Sequence, residues 1–378
     1  MALKNEGEEI YRSIGVSPII NASGTMTMYS GSKLRSECVE AMQQAARFMV
    51  DIDELNKAAG KIIADITGAE AGFVCNGASG GMVLQAAACM AGSDPAKMSK
   101  LPDTSTLKNE ISIHKAHRFV YDQCYRATGA KLIEIGDGRR TYRWELEDAF
   151  TDRTAAVSYL FSPFLSQRAI PLEQVCEIAH ARDVPVIVDA ASFLPPRANL
   201  RRFIAEGADM VVFSGGKGVR GPQGTGILCG RADLIEAASA NASPNAFIGR
   251  SMKVSKEDII GLITALKIFV EEDEVAETAR HRKMCESVVD ALIEFPGLNV
   301  TVEHDQHSYL TPMASIKFTD DWKGPSREEV ISTMAKGDPP IFLSHLIGTD
   351  MSELVVEPIN LSEEELGVVI HRLCQTLA

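Results

Sequence analysis

Between about residues 60 and 235, short runs rich in Val and Ile alternate with segments whose apolar residues recur at helical spacing. The runs are GFVCN (72–76), AKLIEIG (130–136), TAAVSYLFSP (154–163), VPVIVDAA (184–191), ADMVVFSG (208–215) and GTGILCG (224–230). Most are apolar on nearly every position, the mark of strands covered on both faces. Segments such as PLEQVCEIAHARD (171–183) fall between them. Strands alternating with helices build a largely parallel α/β sheet flanked by helices. Ligands on such sheets bind outside the carboxyl ends of the strands. Asn76, Asp189 and Lys217 each close or closely follow a run and are therefore expected near one another.

After residue 245 the pattern changes. Residues 255–295 read as nearly continuous helix with a bend or break. Weaker strands follow in LNVTVEH and MASIKFT, and then a helix in SEEELGVVIHRLCQTL. This predicts a large domain over 30–245 and a smaller α+β domain made from 1–29 and 246–378. The polar stretch 92–110 reads as a surface loop.

Composition narrows the function classes. A net charge of −13 disfavours partners bound mainly through phosphate neutralisation. Eight cysteines without a CxxC pair read as free thiols in a reducing compartment. The N-terminus lacks an apolar signal core and no run is long enough to span a bilayer, so the expectation is a cytoplasmic protein. HDQH (304–307) has no company of carboxylates and cysteines and reads as a polar loop, so no metal site is expected.

The chemistry gathers around FSGGKGVRGPQG. Lys217 follows an apolar run and sits between glycines. The P-loop pattern GxxxxGK[ST] fails twice, at Val211 and at Gly218, which argues against a nucleotide-phosphate lysine. A covalent anchor or a solvated loop lysine remains. Asp189 closes a strongly apolar run, where it could cap a helix or meet a cationic ring nitrogen. Ala191 and Ser192 follow it, and a small residue at 191 would let a flat ring lie close. In CNGASGGMVLQAAACM (75–90) a strand opens through small residues into a helix. Asn76, Gly77, Ala78 and Ser79 there form a helix start suited to a phosphate. Ser214, three residues before the lysine, could join the same phosphate. A strand-end Asp, a phosphate-cradling helix start and Ser-x-x-Lys together describe a pyridoxal 5'-phosphate site with Lys217 as its catalytic anchor. The flanking glycines are expected to let the backbone approach the bulky cofactor closely.

With these residues in view, INASGTMT, NGASGG, VIVDAAS and FSGGKGVRGPQGTGIL resemble fold-type-I pyridoxal phosphate enzymes of the selenocysteine synthase (seryl-tRNA selenium transferase) superfamily. Within it, the resemblance is to the branch of D-glucosaminate-6-phosphate ammonia lyases and selenium-transferase-like proteins. It runs from about residue 15 to the end. It implies an aspartate-aminotransferase-like large domain, a Schiff base on Lys217, and a homodimer or higher homo-oligomer with sites at subunit interfaces. It also suggests His117 as the residue stacking on the ring, with His114 as the competing choice. Arg250 resembles a family position near the phosphate or substrate, and Thr25 and Tyr29 lie where an N-terminal segment would cover the substrate. Gln167 and Arg168 follow another strand end and could face the cofactor hydroxyl or the substrate. Near 337–348 relatives often carry an arginine where this chain has Ser344 and His345, which leaves His345 as the substrate-facing candidate. VEPINL (356–361) lacks a second such arginine, so a phosphorylated substrate is not implied.

The shared chemistry is removal of a Cα proton by the lysine amine while the ring absorbs the electrons. The favoured outcome is a lyase acting on a small hydroxylated amino acid or amino sugar acid, eliminating water and releasing a 2-keto acid and ammonia. The alternatives are a racemase, an aminotransferase, a selenium transferase on seryl-tRNA, or a non-catalytic binding protein on the same fold. A tRNA partner is not expected, because the charge is acidic and the resemblance leaves no room for the N-terminal tRNA-binding domain of the bacterial enzymes.

Overall fold

The strands, in chain order, are β1 (Ile20–Ala22), β2 (Ala71–Asn76), β3 (Glu110–His114), β4 (Lys131–Ile135), β5 (Thr154–Leu160) and β6 (Val186–Asp189). They continue with β7 (Met210–Ser214), β8 (Thr225–Gly230), β9 (Leu298–Glu303), β10 (Met313–Phe318), β11 (Ile341–Leu343) and β12 (Glu353–Val356). The computed structural model describes residues 7–162, 168–305, 311–344 and 353–378. Two compact units emerge, one of Leu34–Glu272 and one of Met1–Lys33 with Asp273–Ala378.

In the larger unit seven strands form one sheet in the order β2-β8-β7-β6-β5-β3-β4. β8 runs antiparallel to β2 and β7, and the remaining pairs are parallel. All six runs read from the sequence lie in this sheet. The seventh strand, β3, was not among them: EISIH carries Ser112 and His114, both fully buried, between two other strands.

Both faces are covered, for a reason visible in β6. Val186 and Val188 enter the core shared with helices Ile52–Thr67, Leu172–His180, Asn199–Ala205 and Lys256–Glu271. Ile187 enters the opposite core, shared with helices Gly77–Ala91 and Ala232–Asn241. Burying each such side chain contributes about 1.5–3 kcal/mol. Helix Ile52–Thr67 opens on the Asp51 carboxylate, which accepts from the Asp53 and Glu54 N–H groups at 2.8 and 3.1 Å. It closes at Gly68, whose φ of 73° suits a residue without a side chain.

The expected break near the middle of 255–295 falls at Glu272–Asp273. Helix Lys256–Glu271 buries Ile259, Leu262 and Leu266 in the larger unit, so that unit extends beyond the change of pattern at 245. Asp273 then caps the next helix, Glu274–Leu292, by accepting from Val275 and Ala276 N–H.

In the smaller unit β9, β10 and β12 form an antiparallel sheet, and β1 pairs parallel with β11. Bridges from Ser23 to Glu357 and from Ser344 to Val355 tie the two sets together. Helices Glu274–Leu292, Arg327–Lys336 and Glu363–Leu377 cover this core, the last two opened by capping boxes at Ser326 and Ser362. Gly24 is held at φ 75° with the Glu357 carboxylate where its Cβ would stand. Burial pushes the Glu357 carboxyl up to about 7. All eight cysteines are free thiols. Among the described residues no helix is long and apolar enough to cross a membrane.

Candidate cofactor site

The carboxyl ends of β2, β7, β6, β5 and β3 lie along one edge of the sheet, and the strand register fixes what meets there. Asn76 is opposite Thr225, and Ser214 is opposite Gly226, so the ends of β2 and β7 flank the start of β8. Asp189 is opposite Val212 on one side and Leu160 on the other. The topology therefore brings Asn76, Ser214 and Asp189 to one edge, with Lys217 in the turn that follows β7.

Lys217 Nζ hydrogen-bonds the Ser192 hydroxyl. Burial lowers the pKa of Lys217, and the nearby Asp189 carboxylate opposes that shift. Burial likewise raises the pKa of Asp189, resisted by the Ala191 N–H and by Lys217. Each group's charge thus partly offsets the shift that burial imposes on the other. Among the described residues, the one hydrogen bond to the Asp189 carboxylate comes from Ala191 N at 3.0 Å, onto Oδ1. Ala191 also accepts from Ser214 N at 3.3 Å, which joins the ends of β6 and β7.

The glycines around the lysine also have a cause within the protein itself. A Cβ on Gly215 would fall 2.3 Å from Thr225 Oγ1, on Gly216 2.4 Å from Gln223 Cα, and on Gly218 1.9 Å from the Leu194 carbonyl. These glycines let the loop pack on its own neighbours, and that packing fixes where Lys217 stands. Arg220, at φ 59°, takes the left-handed conformation in this turn.

Helix Gly77–Ala91 starts without a side-chain cap: the Asn76 amide donates instead to Lys253 O at 3.3 Å. Asn76 and Ser79 are exposed, Ala78 is buried, and Gly77 takes φ 62° with its N–H on Gly224 O at 2.9 Å. The first-turn N–H groups of a long helix are therefore without a side-chain cap beside exposed Ser79, the arrangement that suits an anion. Cys124, unremarked in the sequence, hydrogen-bonds Ser79.

His117 is buried and accepts from Leu160 N at Nδ1 (3.3 Å), which leaves its hydrogen on Nε2. Its ring packs edge-on to Tyr159 at 4.7 Å and tilted against His114 at 4.7 Å. His114 accepts from Ile170 N at Nε2 (3.3 Å), and its buried Nδ1 has no partner among the described residues. Burial pushes His117 down to about 3, helped by His114, and burial alone pushes His114 down to about 4. Both rings are neutral near pH 7. Their folded pKa values lie below the ordinary 6.5, so the unfolded chain binds more protons in between. The stability they hold is complete above pH 6.5 and is lost as pH falls toward 4 and 3. Urea unfolding at a series of pH values should show wild type losing stability between pH 6.5 and 4.5 faster than His117→Gln. The difference should approach about 1.4 kcal/mol per pH unit. Equal slopes would mean that native His117 is protonated.

Other residues singled out from the sequence are more dispersed. Arg250 is exposed, on the turn leading to Lys253, whose carbonyl holds Asn76. Arg168 is exposed, two residues before Ile170. Thr25 and Tyr29 belong to the smaller unit, where Tyr29 stacks on Phe342 at 4.3 Å. Gln167, His345 and the Gln306–His307 half of HDQH lie outside the described residues. His304 sits 3.2 Å from an Arg282 nitrogen.

A lysine and a carboxylate on neighbouring strand ends, beside an open helix start, belong to a sheet of the aspartate-aminotransferase-like class. The family described as SelA, L-seryl-tRNA selenium transferase, matches residues 19–294, and the chain belongs to it. It is 33% identical to a 5'-C-glycyluridine monooxygenase-decarboxylase from Streptomyces sp, over 97% of this chain and 92% of that protein. It is 28% identical to the D-glucosaminate-6-phosphate ammonia lyase of Salmonella typhimurium, over 96% of each. A solved structure of D-glucosaminate-6-phosphate ammonia-lyase, 27% identical, superposes with a TM-score of 0.86 over 99% of this chain and 98% of that one. These relatives are enzymes, and the likeness extends over the whole fold.

Proposed function

We propose that the chain is a pyridoxal phosphate-dependent lyase acting on a small hydroxylated amino acid or amino sugar acid. The reaction removes the Cα proton, eliminates the Cβ hydroxyl as water, and leads to a 2-keto acid and ammonia. The observation that carries this reading is the placing of Lys217 and Asp189 at one strand-end edge, each shifted by burial and countered by the other's charge, beside a helix start without a side-chain cap. The ammonia-lyase relative and the solved structure of an enzyme of that name support it.

The residues present fit that cofactor. The N–H groups of Ala78 and Ser79, with the Ser79 and Ser214 hydroxyls, would hold the phosphate; Asp189 would hold the ring nitrogen, and Lys217 the aldehyde carbon. Pyridoxal phosphate supplies an electron sink for the bond pair left when a proton leaves Cα. Lys217 is suited to take that proton, because burial lowers its pKa and so raises the share of neutral amine. The Ser192 hydroxyl orients Nζ. His117 is neutral and held by Leu160, and its ring would cover one face of the cofactor without adding charge.

Oxidative decarboxylation is a second reading, favoured by the Streptomyces relative at the higher identity. Incubation with D- and L-hydroxyamino acids and amino sugar acids, following ammonia, keto acid and oxygen, separates the two. Ammonia and keto acid without oxygen uptake are expected. Keto acid formed only with an added amino acceptor would overturn the lyase reading in favour of an aminotransferase. Carbon dioxide release with oxygen consumption would establish the second reading. Absence of a mobility shift with seryl-tRNA at low salt would remove the selenium-transferase alternative. A cytoplasmic homo-oligomer is part of the same proposal. Phe48, Met49 and Val50, exposed by 68, 94 and 55%, and Phe119, Val120 and Tyr121 are apolar surface that a second copy would cover.

A further inference from the structure

Helix Gly77–Ala91 buries Ala78, Met82, Leu84, Ala86 and Met90, and among them Gln85, which has no exposed surface. An unbonded amide there costs about 1–3 kcal/mol by mutational measure. Gln85 is bonded at both ends. Its Nε2 donates to Val188 O at 3.1 Å and Met210 O at 3.4 Å, and its Oε1 accepts from Tyr125 Oη at 3.4 Å. The Ser158 side chain lies beside the Tyr125 hydroxyl, and both residues are buried. The fold needs only a side chain of suitable volume at these places. A fully bonded polar train adds direction, and low local dielectric strengthens each link.

The direction is toward the cofactor site. Val188 immediately precedes Asp189, and Met210 begins the strand that ends at Ser214. The Tyr125 hydroxyl is within electrostatic reach of Asp189. We propose that Tyr125, acting through Gln85, is a positioning residue that fixes the strand end carrying Asp189, so that the carboxylate meets the cofactor's ring nitrogen. This rests on the pyridoxal phosphate reading above. Removing the hydroxyl leaves Gln85 Oε1 buried without its partner, and Gln85 shifts to recover one. The helix start, two turns away and held by the hydrogen bonds of Asn76 to Lys253 and of Gly77 to Gly224, should not follow.

The test compares dissociation constants of pyridoxal phosphate and its 1-deaza analogue, which has carbon in place of the ring nitrogen. Tyr125→Phe is expected to weaken pyridoxal phosphate about 5–10-fold, the worth of one buried hydrogen bond, and to leave the analogue within about twofold. Ser158→Ala should move the same ratio less, and it decides the matter alone if Tyr125→Phe does not fold. Equal weakening of both ligands, or of neither, overturns the positioning role. Wild type that binds neither ligand overturns instead the reading on which the role rests.

Discussion

Lys217→Ala is expected to lower turnover by at least about 10⁴-fold, the upper range for loss of a general base, and to abolish covalent retention of cofactor. Treatment with borohydride followed by intact-mass measurement reads the second effect directly. Wild type should carry the pyridoxal phosphate mass, and the variant should not. The geometry argues for so large a loss because Lys217 is held from two sides. Ser192 bonds Nζ, and the loop behind it is packed so closely that a side chain on Gly218 would meet the Leu194 carbonyl. No neighbour can be slid into its place by a small movement. The variant should fold, since Lys217 belongs to neither apolar core and its removal leaves Asp189 free to take up a proton. Added methylamine should restore a small part of the activity, because it returns an amine without returning the tether. A borohydride-stable label on the variant would place the anchor on another residue.

Much of this site was legible because strand ends on a parallel sheet converge whatever the details. Runs of Val and Ile identify β6 and β7, and topology then carries Asp189 and Lys217 to the same edge. A bend or break within 255–295 was legible too, though its place at Glu272–Asp273 came only from the Asp273 cap. What escaped depended on partners distant in the chain. β3 was hidden because Ser112 and His114 interrupt its apolarity, and His114 is tolerated in the core by an N–H from Ile170. β1 has three residues and no local signal, since its register is set by Ile341, Phe342 and Leu343. Gln85 finds its carbonyls more than a hundred residues away, on β6 and β7. The only local hint was a single amide in the apolar run MVLQAAAC. The glycines beside Lys217 were noticed, but their cause within the protein lies in Thr225, Gln223 and Leu194, which no spacing rule could supply.

Asp189→Asn is the sharper probe of the chemistry, because it preserves shape while reversing one hydrogen bond. The amide oxygen can still accept from Ala191 N, but its NH₂ now stands where Oδ2 was. A ring nitrogen facing a donor gives up its proton, and the cofactor loses most of its capacity to draw electrons. The expected loss in kcat/KM is about 10²–10³-fold, comparable with removing one preorganised electrostatic contact. Stability should move the other way. Burial raises the folded pKa of Asp189 above its ordinary 3.8, so between that value and the raised one the native state binds more protons than the unfolded chain. Wild-type stability therefore falls as pH rises through this window, and the asparagine variant escapes that loss. Urea unfolding should show the variant gaining on wild type as pH increases, while below the window the two converge. Activity lost together with stability at neutral pH would instead make Asp189 a structural residue and remove it from the site.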